Sequence, residues 1–233
     1  MSHSSPLACL LLICLLPIGL PAGRVPTMTR ERQNEISPAR ALAKLGEGNR
    51  RFLSGKRRHQ EYDKAVAVTA SGQYPFASVV SCIDSRVPTE LIFDQGIGSI
   101  MNARVAGPVI NDDILGSLEF ACRVTGTRLI LVLGHTGCGA VKGAIDNVEL
   151  GHLTELVDKI KPALRRVPST VVPRSSKNSH FVDDAARENV RLVMREIRDR
   201  STILRALEKD GEILVVGALY DVETGRVEFF RPE

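Results

Sequence analysis

The stretch that decides the fold is Arg128-Leu129-Ile130-Leu131-Val132-Leu133-Gly134-His135-Thr136-Gly137-Cys138-Gly139. Leu129 to Leu133 are apolar without a break, so neither face of this run is meant for water. That is the pattern of a strand covered on both sides, as in a parallel sheet. Gly134 closes the run, and two residues with metal-ligand side chains follow within four positions. A second run has the same design. Phe76-Ala77-Ser78-Val79-Val80-Ser81 leads directly into Cys82-Ile83-Asp84-Ser85-Arg86.

Working outward, strands and helices alternate. Ser37-Pro38 opens a helix with Leu42, Leu45 and Phe52 near one face and Gly55 at its end. Ile97 to Val105 reads as a strand. Asn111 is an N-cap, and Asp112 and Asp113 suit the positive end of the helix that runs through Cys122. A further helix starts near Gly139. Residues 161–182 hold Pro162, Pro168 and Pro173 and read as a surface excursion. Asp184 to Arg200 is a long amphipathic helix with Val190, Val193, Met194 and Ile197 inward. Ser201 caps the next helix, Glu212 to Leu219 is a last core strand, and Arg226 to Phe230 follows a turn. Strands separated by helices imply an α/β fold with a mostly parallel central sheet flanked by helices.

Composition narrows the function. The 31 Lys and Arg against 27 Asp and Glu leave a formal charge of only +4, and aromatic residues make up 4%. A nucleic-acid binder carries a basic face and stacking aromatics, so no nucleic-acid partner is expected. The basic run Lys56-Arg57-Arg58-His59 reads as a solvated helix end.

The N-terminus reads as a targeting segment. Residues 1–23 lack Lys, Arg, Asp and Glu, and Leu7 to Leu20 is nearly all apolar. This run is shorter than the roughly 20 residues of a membrane-spanning helix. It suits a signal peptide cut near Leu20-Pro21-Ala22, giving a periplasmic or secreted protein with no stable membrane span. The alternative is a cytoplasmic protein whose true start is Met28. On the export reading 24–35 is a linker and 36–233 a single domain.

Open α/β sheets place their sites beyond the carboxyl ends of the strands. If the two loaded strands are neighbours, Cys82, His135 and Cys138 converge. Two thiolates and an imidazole suit Zn2+, at about 2.3 Å for sulfur and about 2.0–2.1 Å for nitrogen. The fourth position would go to water or to Asp84. Cys122 falls on the apolar face of its helix with Ile114, Leu118 and Ala121 and reads as a buried, inert thiol. A phosphatase loop would need Arg six residues after Cys82, where Pro88 stands. Neither a CxxC redox pair nor a dinucleotide or phosphate-binding glycine loop occurs.

Cys82-Ile83-Asp84-Ser85-Arg86-Val87 with His135-Thr136-Gly137-Cys138-Gly139-Ala140-Val141-Lys142 resembles the β-class carbonic anhydrases. Arg104-Val105-Ala106-Gly107 and Gly217-Ala218-Leu219-Tyr220-Asp221 fit the same family, and the resemblance covers roughly residues 35–231. It implies one Zn2+ per subunit on Cys82, His135 and Cys138, and a homodimer or homotetramer. It implies reversible hydration of CO2 to bicarbonate and a proton by zinc-bound hydroxide. Zinc brings the pKa of its water to about 7, a value established on carbonic anhydrases themselves. The resemblance also implies an Asp84–Arg86 pair: Arg86 keeps the carboxylate off the metal, and Asp84 on the metal would be a closed state. Gln95 lies one position away from a glutamine that contacts bicarbonate across the subunit interface in many relatives. Arg104 matches an arginine of an allosteric bicarbonate pocket whose tryptophan is here Val79, so that pocket is expected to be absent or altered and Arg104 to be structural. The alternatives are a COS/CS2-type hydrolase on the same site and a noncatalytic zinc-binding protein. Mass analysis of the mature N-terminus is expected to give a start near residue 23; an intact Met1 or a Met28 start removes the export reading.

Overall fold

The computed structural model describes residues 27–230. The segment 1–23, read as a signal peptide, lies outside them. Five strands form one sheet: β1 (Ala77–Cys82), β2 (Ile100–Val105), β3 (Leu129–His135), β4 (Leu214–Tyr220) and β5 (Val227–Phe229), in the order β2-β1-β3-β4-β5. The first four are parallel, and β5 alone is antiparallel to β4. The sheet is therefore mostly parallel, as the unbroken apolar runs require. The helices in chain order are α1 (Arg30–Asn34), α2 (Pro38–Leu53), α3 (Tyr62–Thr69), α4 (Thr89–Ile92), α5 (Asp112–Glu119), α6 (Gly139–Ile145), α7 (His152–Asp158), α8 (Lys161–Leu164), α9 (Ser179–Arg200) and α10 (Thr202–Lys209).

Strand β3 shows why the sheet needs cover on both sides. Leu129, Leu131 and Leu133 join one apolar cluster with Leu45, Phe76 and Phe93. Ile130 and Val132 face the other way, into a cluster with Leu118, Val190, Val193 and Ile197. The side-chain period of two sends alternate residues to opposite faces, and both faces are buried.

The chain leaves β1 for β2 on one side, then returns to lay β3 on the other side of β1. The order of strands reverses between β1 and β3, and crevices open at such reversals. Cys82 ends β1 and His135 ends β3.

Helix α9 sits unusually close to the sheet. A Cβ at Gly217 would lie 2.7 Å from Val190 Cγ1 and 2.6 Å from Met194 Sδ. A Cβ at Gly134 would lie 2.7 Å from Val190 Cγ2. Two glycines on adjacent strands thus make the depression that seats Val190, and only the missing side chains allow that approach.

Several boundaries differ from the sequence reading. Strand β2 begins at Ile100, because a turn with left-handed Gly98 (φ 78°) occupies 96–99. Helix α5 passes into a wider π turn, Phe120–Val124, which carries Cys122. Part of the expected linker 24–35 is docked. It carries α1, whose buried Gln33 donates to the carbonyls of Pro75 (2.6 Å) and Thr125 (2.7 Å). The expected surface excursion 161–182 does run over the surface at 168–174, but its two ends are anchored in the domain. Pro162 stands in the first turn of α8, where a missing N–H does no harm. Ala163, Val167, Phe181 and Val182 are buried, and the Arg174 guanidinium stacks 4.6 Å from the Phe181 ring centroid. Helix α9 consequently starts at Ser179, before Asp184.

Gly217→Ala is expected to overpack the α9 seat and to cost about 1–3 kcal/mol. Thermal unfolding by circular dichroism checks this; an unchanged midpoint would show that α9 can lift without loss.

Candidate metal centre

Sequence separation hides the site, and the sheet assembles it. Cys82 is the last residue of β1, and His135 is the last residue of the neighbouring β3. Cys138 is the N-cap residue of α6, three residues further on. The donor atoms of the three lie within 4.8 Å of one another, and all three residues are buried.

The imidazole is preset for ligation. Its Nδ1 lies 2.9 Å from the Thr136 carbonyl, a contact that makes Nδ1 the protonated nitrogen. Nε2 then carries the lone pair. It is buried and has no hydrogen-bond partner among the described residues. A buried nitrogen in that condition costs free energy unless something electrophilic meets it.

The sulfurs make the same point. The Gly107 and Asp84 amides donate to Cys82 Sγ at 3.3 and 3.4 Å. Hydrogen bonding from the Cys138 thiol, helped by these two amides, pulls the Cys82 thiol well below its ordinary range. The negative neighbour and burial push Cys138 up. The two sulfurs thus lie close enough to act on each other. A divalent cation between them would meet two sulfurs and an imidazole, the donor set that borderline-soft Zn2+ favours. The residues fit such an ion. Cys122 differs: burial pushes its thiol up to about 11, and it lies in the apolar cluster of Leu115, Leu118 and Val193, with its sulfur 3.3 Å from the Thr127 hydroxyl. It is an inert core thiol.

Beside the cluster, Arg86 grips Asp84 with both ends of its fork. Nε lies 3.0 Å from Oδ1 and Nη2 lies 2.8 Å from Oδ2, while the Arg86 amide adds a bond of 2.9 Å to Oδ1. The paired guanidinium and this amide hold the Asp84 carboxyl well below the usual range. Asp84 Oδ2 is 3.8 Å from His135 Nε2, so the carboxylate borders the donor cluster while Arg86 holds it.

Three contacts support the site from around it. Arg104 donates to the carbonyls of Cys82 (3.0 Å) and Asp84 (2.8 Å), fixing the chain on either side of Ile83. The Thr136 amide donates to Tyr220 O at 2.9 Å, which ties the His135–Cys138 turn to β4. Asp183 accepts from the Gly137 amide at 2.8 Å. Of the three, only Arg104 had a signal in the sequence, where it was expected to be structural, and its two carbonyl bonds agree with that; Val79 is fully buried in β1. Gln95 is placed apart from the cluster within the chain. Its amide donates to Phe93 O at 2.7 Å, and it lines a cleft of about 500 Å3 with Arg57, Arg58 and His59. Among the described residues, no helix is long and apolar enough to cross a membrane.

Comparison with known proteins agrees with this geometry. Residues 77–227 match the family model described as carbonic anhydrase. Carbonic anhydrase 2 of Mycobacterium tuberculosis is 36% identical over 192 residues, covering 82% of this chain and 91% of that protein. A carbonic anhydrase of Mycolicibacterium smegmatis is 36% identical over 199 residues, covering 82% and 93%. Among solved structures, the β-carbonic anhydrase CafA of Aspergillus fumigatus superposes with a TM-score of 0.65 at 26% identity, covering 82% of this chain and 89% of that one. The chain belongs to the carbonic anhydrase family, in its β class.

Cys82→Ser, His135→Ala and Cys138→Ser should each lower bound metal below one ion per chain, as measured by elemental analysis on folded protein. A variant that keeps full stoichiometry removes its residue from the ligand set.

Proposed function

We propose that this protein is a zinc enzyme that interconverts CO2 and water with bicarbonate and a proton. The observation that carries the reading is the pairing of a Cys82–His135–Cys138 donor cluster with an adjacent Asp84 clamped by Arg86. A metal store would need the first but not the second.

Bound zinc, one per subunit on Cys82, His135 and Cys138, supplies Lewis acidity that brings water ionisation towards neutral pH. The chain's own groups then orient and accept. Asp84, kept ionised by Arg86, accepts a hydrogen bond from the attacking oxygen and aims a lone pair at the carbon of CO2. Arg86 acts through Asp84: its bidentate grip holds the carboxylate off the metal, so that Asp84 does not become a fourth ligand. Burial of the three ligands limits competing water on the protein side. Gln95 contacts bicarbonate bound to a partner subunit, in a homodimer or homotetramer. A tetrameric relative from Sordaria macrospora has the same fold, with a TM-score of 0.63 at 20% identity. The N-terminal segment directs export, with a Met28 start as the competing reading.

Stopped-flow CO2 hydration with a pH indicator tests the mechanism. Zinc-loaded wild type should be active, while Asp84→Ala and Arg86→Ala should lose about 100-fold or more, the scale of a lost proton-handling group, with zinc content retained. Full activity in either variant removes the pair from the mechanism. Inactive wild type that cleaves COS or CS2 reassigns the substrate, and zinc-loaded wild type inactive towards all three is a binding protein.

A further inference from the structure

The turn from His135 to Cys138 carries two of the three metal ligands, and its intervening amides are held by two different elements. The Thr136 amide goes to Tyr220 O of β4, and the Thr136 hydroxyl accepts from the Val222 amide at 3.1 Å. The Gly137 amide goes to Asp183 Oδ1 of α9, across 46 positions of sequence. Gly137 has φ 62°, a left-handed conformation that lets the chain reverse between the ligands. Such a residue returns readily to other conformations unless something holds it.

Asp183 is well placed to do the holding. It is the fifth residue of α9, beyond the first turn, and the start of α9 has no side-chain cap bond. Its bond to Gly137 therefore serves another element. The helix that carries it is seated firmly, because Val190 fills the depression over Gly134 and Gly217. Gly134 immediately precedes the ligand His135. The close approach of α9 to β3 thus sets where Asp183 meets the turn.

We propose that Asp183 is a positioning residue of the metal centre: by accepting from the Gly137 amide, it fixes the His135–Cys138 turn in the shape that presents both ligands to one ion. This rests on the reading of Cys82, His135 and Cys138 as zinc ligands and extends that set to α9. Groups that orient ligands from behind usually contribute about 10–100-fold to metal affinity. The Asp183 carboxylate also lines a cavity of about 750 Å3 with Arg86, Lys142, Lys177 and His180. A bulk charge effect must therefore be separated from the directed bond.

Zinc transfer from the folded holoprotein to a chromogenic chelator separates them. Asp183→Ala should release zinc about 10–100-fold faster than wild type. Asp183→Asn, which keeps an acceptor oxygen, should recover most of the retention, and Asp184→Ala, which removes a neighbouring charge, should behave as wild type. The thiolate-to-metal absorption of cobalt-substituted protein should change in Asp183→Ala and not in Asp183→Asn. Should alanine disturb folding, Asp183→Glu keeps the charge, moves the oxygen by one methylene and should also release zinc faster. Wild-type retention in Asp183→Ala, or equal losses in Asp183→Ala, Asp183→Asn and Asp184→Ala, overturns the proposal. Failure of wild type itself to bind zinc would instead overturn the proposed function.

Discussion

The parallel pairing of β1 with β3 is the constraint on which the rest of the structure depends. Ser78 to Ser81 run in register with Ile130 to Leu133, so both strands deliver their next residues to the same edge of the sheet. Cys82 and His135 are 53 positions apart in sequence, and no local interaction could bring them together. Parallel strands cannot be joined by a tight turn, so the chain must cross over through β2 and α5 before β3 is laid down. That crossover also places the reversal of strand order at the pair that carries Cys82 and His135.

Around this pairing, the site is held mainly through backbone. Arg104 grips carbonyls on both sides of Ile83, β4 takes the Thr136 amide, and α9 takes the Gly137 amide. Amides from 84 and 107 point at the Cys82 sulfur. Each bond is of ordinary strength, but together they leave the donor-bearing segments few alternative shapes. The chemistry is balanced in the same way. Two buried sulfurs within 4.8 Å of an imidazole whose buried nitrogen has no partner among the described residues form an environment that a divalent cation would complete.

The structure also separates two acid groups that look alike in sequence. Asp84 is locked by a fork of two guanidinium bonds next to the donors. Asp183 looks like one of two acidic residues opening an amphipathic helix, a pattern that usually concerns the helix itself. Its contact with Gly137 depends on where α9 lies. Gln95 likewise has a sequence position that matches a family pattern, while its amide is engaged with Phe93 within the chain.

Much was legible from the sequence alone because the signals were local. Unbroken apolar runs required buried strands, β-branched and small residues bounded them, and Cys, His and Asp at two strand ends marked a site with zinc-type donors. The strand ends were readable to within a few residues, and Cys122 was readable as core. What tertiary structure decided was non-local. It docked α1 through Gln33, anchored the ends of the 161–182 excursion through Ala163, Val167 and Phe181, and extended α9 back to Ser179. It also settled which strands are neighbours, and so whether three donors could meet. A side chain's type and immediate neighbours are written in its sequence, but the distance between two strand ends depends on how the whole sheet is ordered, and that order is chosen by packing on both of its faces.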